Sequence, residues 1–427
     1  MNIRSITIFL PLDHPEEEIP SSPKLPYPLK LPLAEAAQLR RVAVEKFQEA
    51  GYIVQSSRVA THPFYRLFRP FNRERCLIWA QDFEQACSQA GFDYLSLGPA
   101  LPQQPETVNS AVEILHHTSK VFVSALLTKG NSVALEMVRQ AARAIQAISL
   151  IEPNGFANLR FAALANVPPG APFFPAAYHQ GDQLTFSLAM EAADLFIEEI
   201  SLATDLNDAS QRLISRLEKE ARRLEQTAQA VLNHYQKSSH PFTPSFAGID
   251  FTPAPFPEIN RSFGTAIEKL GLDAVGLPGS LAAAAFLTSV LDQARYQRVG
   301  FNGLMLPVLE DATLAQRAAE GKLRVPDLLL YSAVCGTGLD TIPLAGDVSE
   351  DALMALLLDL AALSLRLNKP LTARLMPIPG KRVGDETSFN FGYFANSRIM
   401  GIEGGNLSGI LTDSETMPIK WRRKPPL

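Results

Sequence analysis

Cysteine is scarce in this sequence, and long apolar runs are missing. Three cysteines (Cys76, Cys87, Cys335) in 427 residues are too few and too scattered for a disulfide framework. That usage fits a reducing compartment. No apolar stretch reaches the roughly 20 residues a membrane helix needs, and "SLAAAAFLTSVL" suffices only for a buried helix. The opening run "IRSITIFL" is too short for a signal peptide and reads as a first strand. A soluble cytoplasmic protein with no membrane partner is expected. An excess of positive charge is also lacking: 39 Lys and Arg stand against 44 Asp and Glu, and the net charge of −5 is spread along the chain. With no basic face, nucleic acid is not an expected partner. The familiar catalytic signatures are absent too. There is no G-x-S-x-G, H-E-x-x-H, C-x-x-C or Walker A pattern, and "GTGLD" lacks the third glycine of a dinucleotide fingerprint.

What is present is ample core material, with 46% apolar and 19% charged residues. Strand-like and helix-like segments alternate from end to end. "IRSITIFL", "YIVQSSRVAT", "FDYLSLG", "KVFVSALLT", "NLRFAALANV", "QLTFSLAME", "LDAVGL", "LMLPVLED" and "LTARLMPIPG" read as strands. Helices are expected between them, including 33–51, 76–91, a long charged helix over 205–239 and a nearly all-apolar one over 351–368. Residues 11–32 are Pro-rich and read as a loop or arm. Such alternation predicts an α/β fold with parallel strands and crossover helices, in one large domain over 1–427, closed as a barrel or doubly wound. Its parts are a first half (1–150), a second half with the candidate site (151–405) and a tail (406–427). The two long helices offer surfaces for a homodimer, the commonest assembly.

In such folds chemistry sits just after the strands. The loop "VPPGAPFFPAAYHQGD" brings aromatics together with His179 and Asp182, as a small-ligand pocket would. A hydrogen-bonded loop histidine is the plainer alternative. Asp250 ends a strand before three prolines that would hold it still, either as a turn acceptor or as a metal ligand or base. Asp311 reads as a helix N-cap, whereas Glu310 beside it is free to point into a site. After the strand-like "LLLYSAV" comes "CGTGLDT", with Cys335 entering a glycine turn and Asp340 leaving it. A buried thiol is usually a small apolar group, and a reactive one needs a lowered pKa. The adjacent His116 and His117 diverge on a helix and cannot share a metal. His14, His62, His234 and His240 read as structural or exposed.

Five stretches carry a family resemblance: "NGFANLRFAALANVPPGAPFFPAAYHQGD", "FAGIDFTPAP", "LPVLEDATLAQRAAEGKL", "YSAVCGTGLDTIPLAGD" and "PGKRVGDETSFNFGYF". Together they resemble the uncharacterised family known as domain of unknown function 711, specifically from about residue 150 to 405. The resemblance implies a closed ten-stranded α/β barrel with outer helices and a hairpin loop inserted into it, like that of pyruvate formate-lyase and other glycyl-radical enzymes. In that arrangement "AVCGTGLD" would place Cys335 at the barrel centre. The radical-glycine pattern of those enzymes, of the form R-V-x-G-Y, is not reproduced by "RVGDE" or "FGYF".

The functional expectation is an enzyme acting on a small polar metabolite inside the barrel. Cys335, His179 and Asp340 are its catalytic candidates. Asp182, Asp250 and Glu310 are its candidate ligands for a divalent cation, since oxygen donors suit Mg²⁺, Mn²⁺ or Ca²⁺. The alternatives are a non-catalytic metabolite sensor on an enzyme-like scaffold and an atypical glycyl-radical enzyme.

Overall fold

A computed structural model describes residues 1–11, 27–67, 71–236 and 242–421. Most of the Pro-rich stretch, His14, His240 and the last residues of the expected helix 205–239 lie outside the described residues. Nine strands form one sheet: β1 (Asn2–Phe9), β2 (Ser57–Ala60), β3 (Tyr94–Ala100), β4 (Val121–Leu126), β7 (Phe161–Ala165), β8 (Thr185–Glu191), β9 (Ser245–Ala254), β10 (Gly338–Ala345) and β11 (Leu371–Ile378). A small second sheet joins β5 (Thr128–Lys129), β6 (Ser132–Ala134) and β12 (Thr416–Pro418). The large sheet runs β10-β11-β7-β4-β3-β2-β1-β8-β9. Its central five strands are mutually parallel. The flanking pairs β8-β9 and β10-β11 run antiparallel to that centre.

The sequence therefore identifies the α/β class, but the sheet is mixed and nine-stranded, and its two edge strands are not paired with each other. One segment touches both edges. The amide of Ile249 donates to Gln297 O and that of Val299 to Ile249 O, while Gly336 donates to Leu304 O and Val308 to Asp340 O. Isolated parallel bridges join Ile249 to Arg298 and Pro307 to Asp340. The expected strand 304–311 is this irregular connection. The expected strand at 272–277 is turn, and "LLLYSAV" falls on the helix Val325–Tyr331 and the turn that follows it. Conversely, β10 lies where the sequence reads as a loop, because Gly338 and Pro343 hide its strand character.

The two faces of the sheet differ. Ile6, Ile8, Val59, Leu95, Leu97, Val121, Val123, Leu339, Ile342, Ala373 and Leu375 join one apolar core with the covering helices. Many of the alternate residues, which face the other way, are small, polar or charged (Ser5, Thr7, Arg58, Ser96, Ser124, Thr372 and Arg374), with Phe9, Phe122 and Met376 among them. Period-two alternation sets this division. Burying the apolar face drives the fold, and the polar face is left for chemistry. The helices Leu206–Gln236 and Glu350–Leu367 pack within the chain, the first against Tyr27–Glu49 and the second against Leu135–Ser149.

Candidate functional site

A cavity of about 300 Å³ opens on the polar face. Arg4 of β1, Arg58 of β2, Arg374 of β11 and Glu310 line it, with Asp250 and Thr252 of β9. Phe122, Phe173, Phe174, Phe391 and Tyr393 supply aromatic walls.

Pairing irregularities place three of the charged groups. The β1–β8 register passes from Ile3 to Ser5 against adjacent partners, so Arg4 is an extra, bulged residue. Asp250 precedes a shift in the β8–β9 register. Asp340 and Thr341 together oppose Arg374 at a third shift, and Thr341 has a φ of +45°. A bulge turns a side chain out of the pleat and re-aims it, which is how strand residues come to converge here.

Arg374 is the hub. Its Nε donates to Asp340 Oδ1 at 2.6 Å, and one terminal nitrogen donates to Asp340 Oδ2 at 3.0 Å and to Glu310 Oε1 at 2.6 Å. Arg4 donates to the other Glu310 oxygen at 3.0 Å and lies 3.6 Å from Glu191, which also accepts from Gln55 and Arg261. Arg374, Glu310, Asp340 and Glu191 are all buried. Burial pushes the Asp340 carboxyl up to about 6, with Arg374 pulling it down and Glu310 pushing it further up. Buried ions of this kind are tolerable only when mutually paired.

The sequence-derived candidates divide. Glu310 lines the cavity, Asp340 stands behind it on Arg374, and Asp250 lies in its wall. Asp250 accepts from the amides of Phe301 (2.9 Å), Asn302 (3.0 Å) and Thr252 (3.0 Å), and from the Thr252 hydroxyl. Burial pushes its pKa up against those bonds. It sits inside β9 rather than at its end. Asp311 is a cap, accepting from Thr313 and Leu314 of the helix Ala312–Ala319 and from Phe263 and Gly264 of the helix Phe263–Glu268.

The long loop sends Phe173 and Phe174 into the cavity wall but not His179 or Asp182. Asp182 is exposed. His179 is buried against Phe9 and His62, with ring centroids 5.8 and 5.0 Å away, and its Nε2 meets Gln183 O at 3.0 Å. Burial, helped by His62, drops its pKa to about 4. Cys335 is buried in the main apolar core and is not among the cavity-lining residues. Its carbonyl accepts from Lys369, whose ammonium also donates to Ser332 O at 3.0 Å. The neighbouring glycine is there for room, since a Cβ on Gly336 would sit 2.3 Å from Gly303 Cα.

The proposed cation ligands do not form a centre. Among the described residues no three His, Cys, Asp or Glu side chains are grouped to hold a metal. Asp250 spends both oxygens on amides and a hydroxyl, and Glu310 spends both on guanidinium groups. Three of the bonds Asp250 accepts fall on Oδ1 and one on Oδ2.

Arg4, Arg58 and Arg374 were not singled out from sequence. The available signal was an arginine inside an otherwise apolar strand, in "IRSITIFL", "SSRVAT" and "LTARLMP". A cation there must find a partner or a ligand.

These features define a mixed α/β protein whose polar sheet face encloses a small, arginine-lined cavity. The chain matches the family described as Uncharacterised ACR (DUF711) over residues 1–394, and it belongs to that family. It is similar to a UPF0210 protein of Pyrobaculum arsenaticum, 29% identical over 82% of this chain and 79% of the relative. It is similar also to UPF0210 proteins of Acetivibrio thermocellus (26%; 83% and 80% covered) and Desulfovibrio desulfuricans (25%; 90% and 87% covered). No helix of the described residues is long and apolar enough to cross a membrane.

Proposed function

We propose that this protein is an enzyme acting on a small polar metabolite held in the cavity. The observation that carries this reading is the convergence of Arg4, Arg374 and Glu310 on a partly open hollow with aromatic walls. Preorganised guanidinium groups stabilise negative charge as it develops on a bound substrate. Glu310 is the carboxylate that meets the ligand and exchanges a proton with it, while Asp340 positions Arg374 from behind. In this reading Cys335 and His179 support the scaffold, and no cation is required to balance the carboxylates. The connection 297–308 is proposed to close the sheet as its missing tenth stave, in the manner of the pyruvate formate-lyase barrel. The backbone bonds it makes to both edges support that closure.

One observation favours a second reading, a non-catalytic metabolite sensor: both Glu310 oxygens are already bonded to arginines. Incubation with a metabolite panel, read by mass spectrometry, separates the two. Wild type should consume one compound and Glu310→Gln should not. Binding without consumption by wild type would establish the sensor instead.

A further inference from the structure

The charged residues around the cavity are paired, with one exception. Arg374 holds Asp340 and Glu310, Arg4 holds Glu310 and Glu191, and Asp250 is held by amides. Among the described residues Arg58 has no bonded carboxylate. Its one hydrogen bond runs from Nε to Ser56 Oγ at 3.0 Å, and its guanidinium lies over the rings of Phe174 (5.1 Å) and Tyr94 (5.8 Å). Asp93 also lines the cavity, but it accepts from the amide (2.7 Å) and hydroxyl (3.2 Å) of Ser57. The terminal nitrogens of Arg58 thus present an unfilled fork of donors beside the cavity. Burial, then the charge of Arg4, lowers the Arg58 pKa to about 10, which still leaves it cationic at neutral pH. The Glu310 carboxylate attracts it but is already bonded to Arg4 and Arg374, so a cation held near two others without a bonded carboxylate of its own is a cost to the empty protein.

We propose that Arg58 receives the oxyanion of a small organic acid, a carboxylate or phosphate monoester, whose apolar body lies among Phe122, Phe173, Phe174 and Tyr393. This rests on the cavity being the binding site proposed above, and it names the class of ligand. The fork of a guanidinium matches two oxygens of such a group, and the aromatic faces beneath hold the guanidinium flat without neutralising it. A cavity of about 300 Å³ is at the small end for ligand pockets, which suits a compact acid.

The test uses the full chain, melted at matched ionic strength with benzoate, phenyl phosphate or uncharged benzyl alcohol. One or both anions should raise the wild-type Tm, and the alcohol should not. Greater response to benzoate identifies a carboxylate ligand, and greater response to phenyl phosphate a phosphate ester. In Arg58→Gln the half-saturating anion concentration should rise at least tenfold, while the ligand-free Tm rises above wild type because the repulsion is gone. If R58Q does not fold, Arg58→Lys keeps the charge and loses the fork, and it must bind the anion more weakly than wild type. The proposal is overturned if neither anion stabilises wild type more than the alcohol does, or if the arginine variant keeps the full anion response. Anion binding without turnover of any metabolite would remove the enzyme reading and leave this one standing. Turnover of an uncharged substrate by R58Q would do the opposite.

Discussion

Two buried polar clusters flank the inner face of the sheet, and they handle burial in opposite ways. The Arg374 cluster keeps its groups ionised by pairing guanidinium against carboxylate. The His179 cluster keeps its groups neutral, since burial lowers the pKa of both His179 and His62 among aromatic neighbours. The first can bind and stabilise charge, so it belongs beside a ligand. The second is a packing unit whose acid–base character has been suppressed, and at neutral pH it offers no cation to a substrate. Proximity to a pocket-like loop is thus a weaker guide to function than the state in which burial leaves a group.

The sharpest way to break that contrast is Arg374→Met. It strands Asp340 without its cation and leaves Glu310 to Arg4 alone, and loss of one partner from a buried ion network costs about 3–5 kcal/mol. Urea denaturation should show this, and Asp340→Asn combined with it should recover part of the loss, because the two groups share one interaction. A cost below that of an ordinary surface substitution would mean the cluster is hydrated and the contrast is false.

The pH dependence of stability tests the other side. The folded pKa of His179, about 4, lies below its ordinary 6.5. Its contribution is therefore complete above 6.5 and is lost as pH falls toward 4, by about 3 kcal/mol. The folded pKa of Asp340, about 6, lies above its ordinary 3.8. Its contribution is present below 3.8 and is lost as pH rises through 6, so the two slopes oppose each other between 4 and 6. The titratable groups acting on His179 are His62 and Asp182, and Arg66 acts in turn on His62. Replacing His179 with Gln should shrink the acid-side loss in a pH series of denaturation curves, and an unchanged series would show that the ring takes its proton as readily in the folded protein as in the unfolded chain.

How far these clusters were legible depended on what each residue asks of its neighbours. The Asp311 cap, the helix Glu350–Leu367 and the alternation of β1 follow from local pattern, and each appears as read. Strand β10 was hidden, because glycine and proline lower local strand propensity while the pairing with β11 that overrides it is remote. The pairing of Arg4, Glu310, Arg374 and Asp340 joins residues up to 370 positions apart through bulges that no local pattern announces. Glu310 and Asp340 were legible as carboxylates near strand ends. The three arginines stood in plain view, but a strand arginine signals a site only once it is known to face inward.

Cys335 gives the smallest expected effect and the cleanest boundary between scaffold and site. Its thiol lies in the apolar core beside a glycine–glycine crossing, away from the cavity-lining residues. Truncation to Ala removes one sulfur's worth of contacts and leaves a space too small for water, so stability should fall by about 1 kcal/mol. Gly336→Ala, one residue along, should cost more, because its new Cβ meets backbone rather than space. Anion binding, and turnover once a substrate is found, should be unchanged in Cys335→Ala. If that variant folds with near-native stability yet loses turnover, the sulfur is part of the chemistry. The division between a paired, ligand-facing wall and a silent, packed remainder would then have to be redrawn around the turn that carries it.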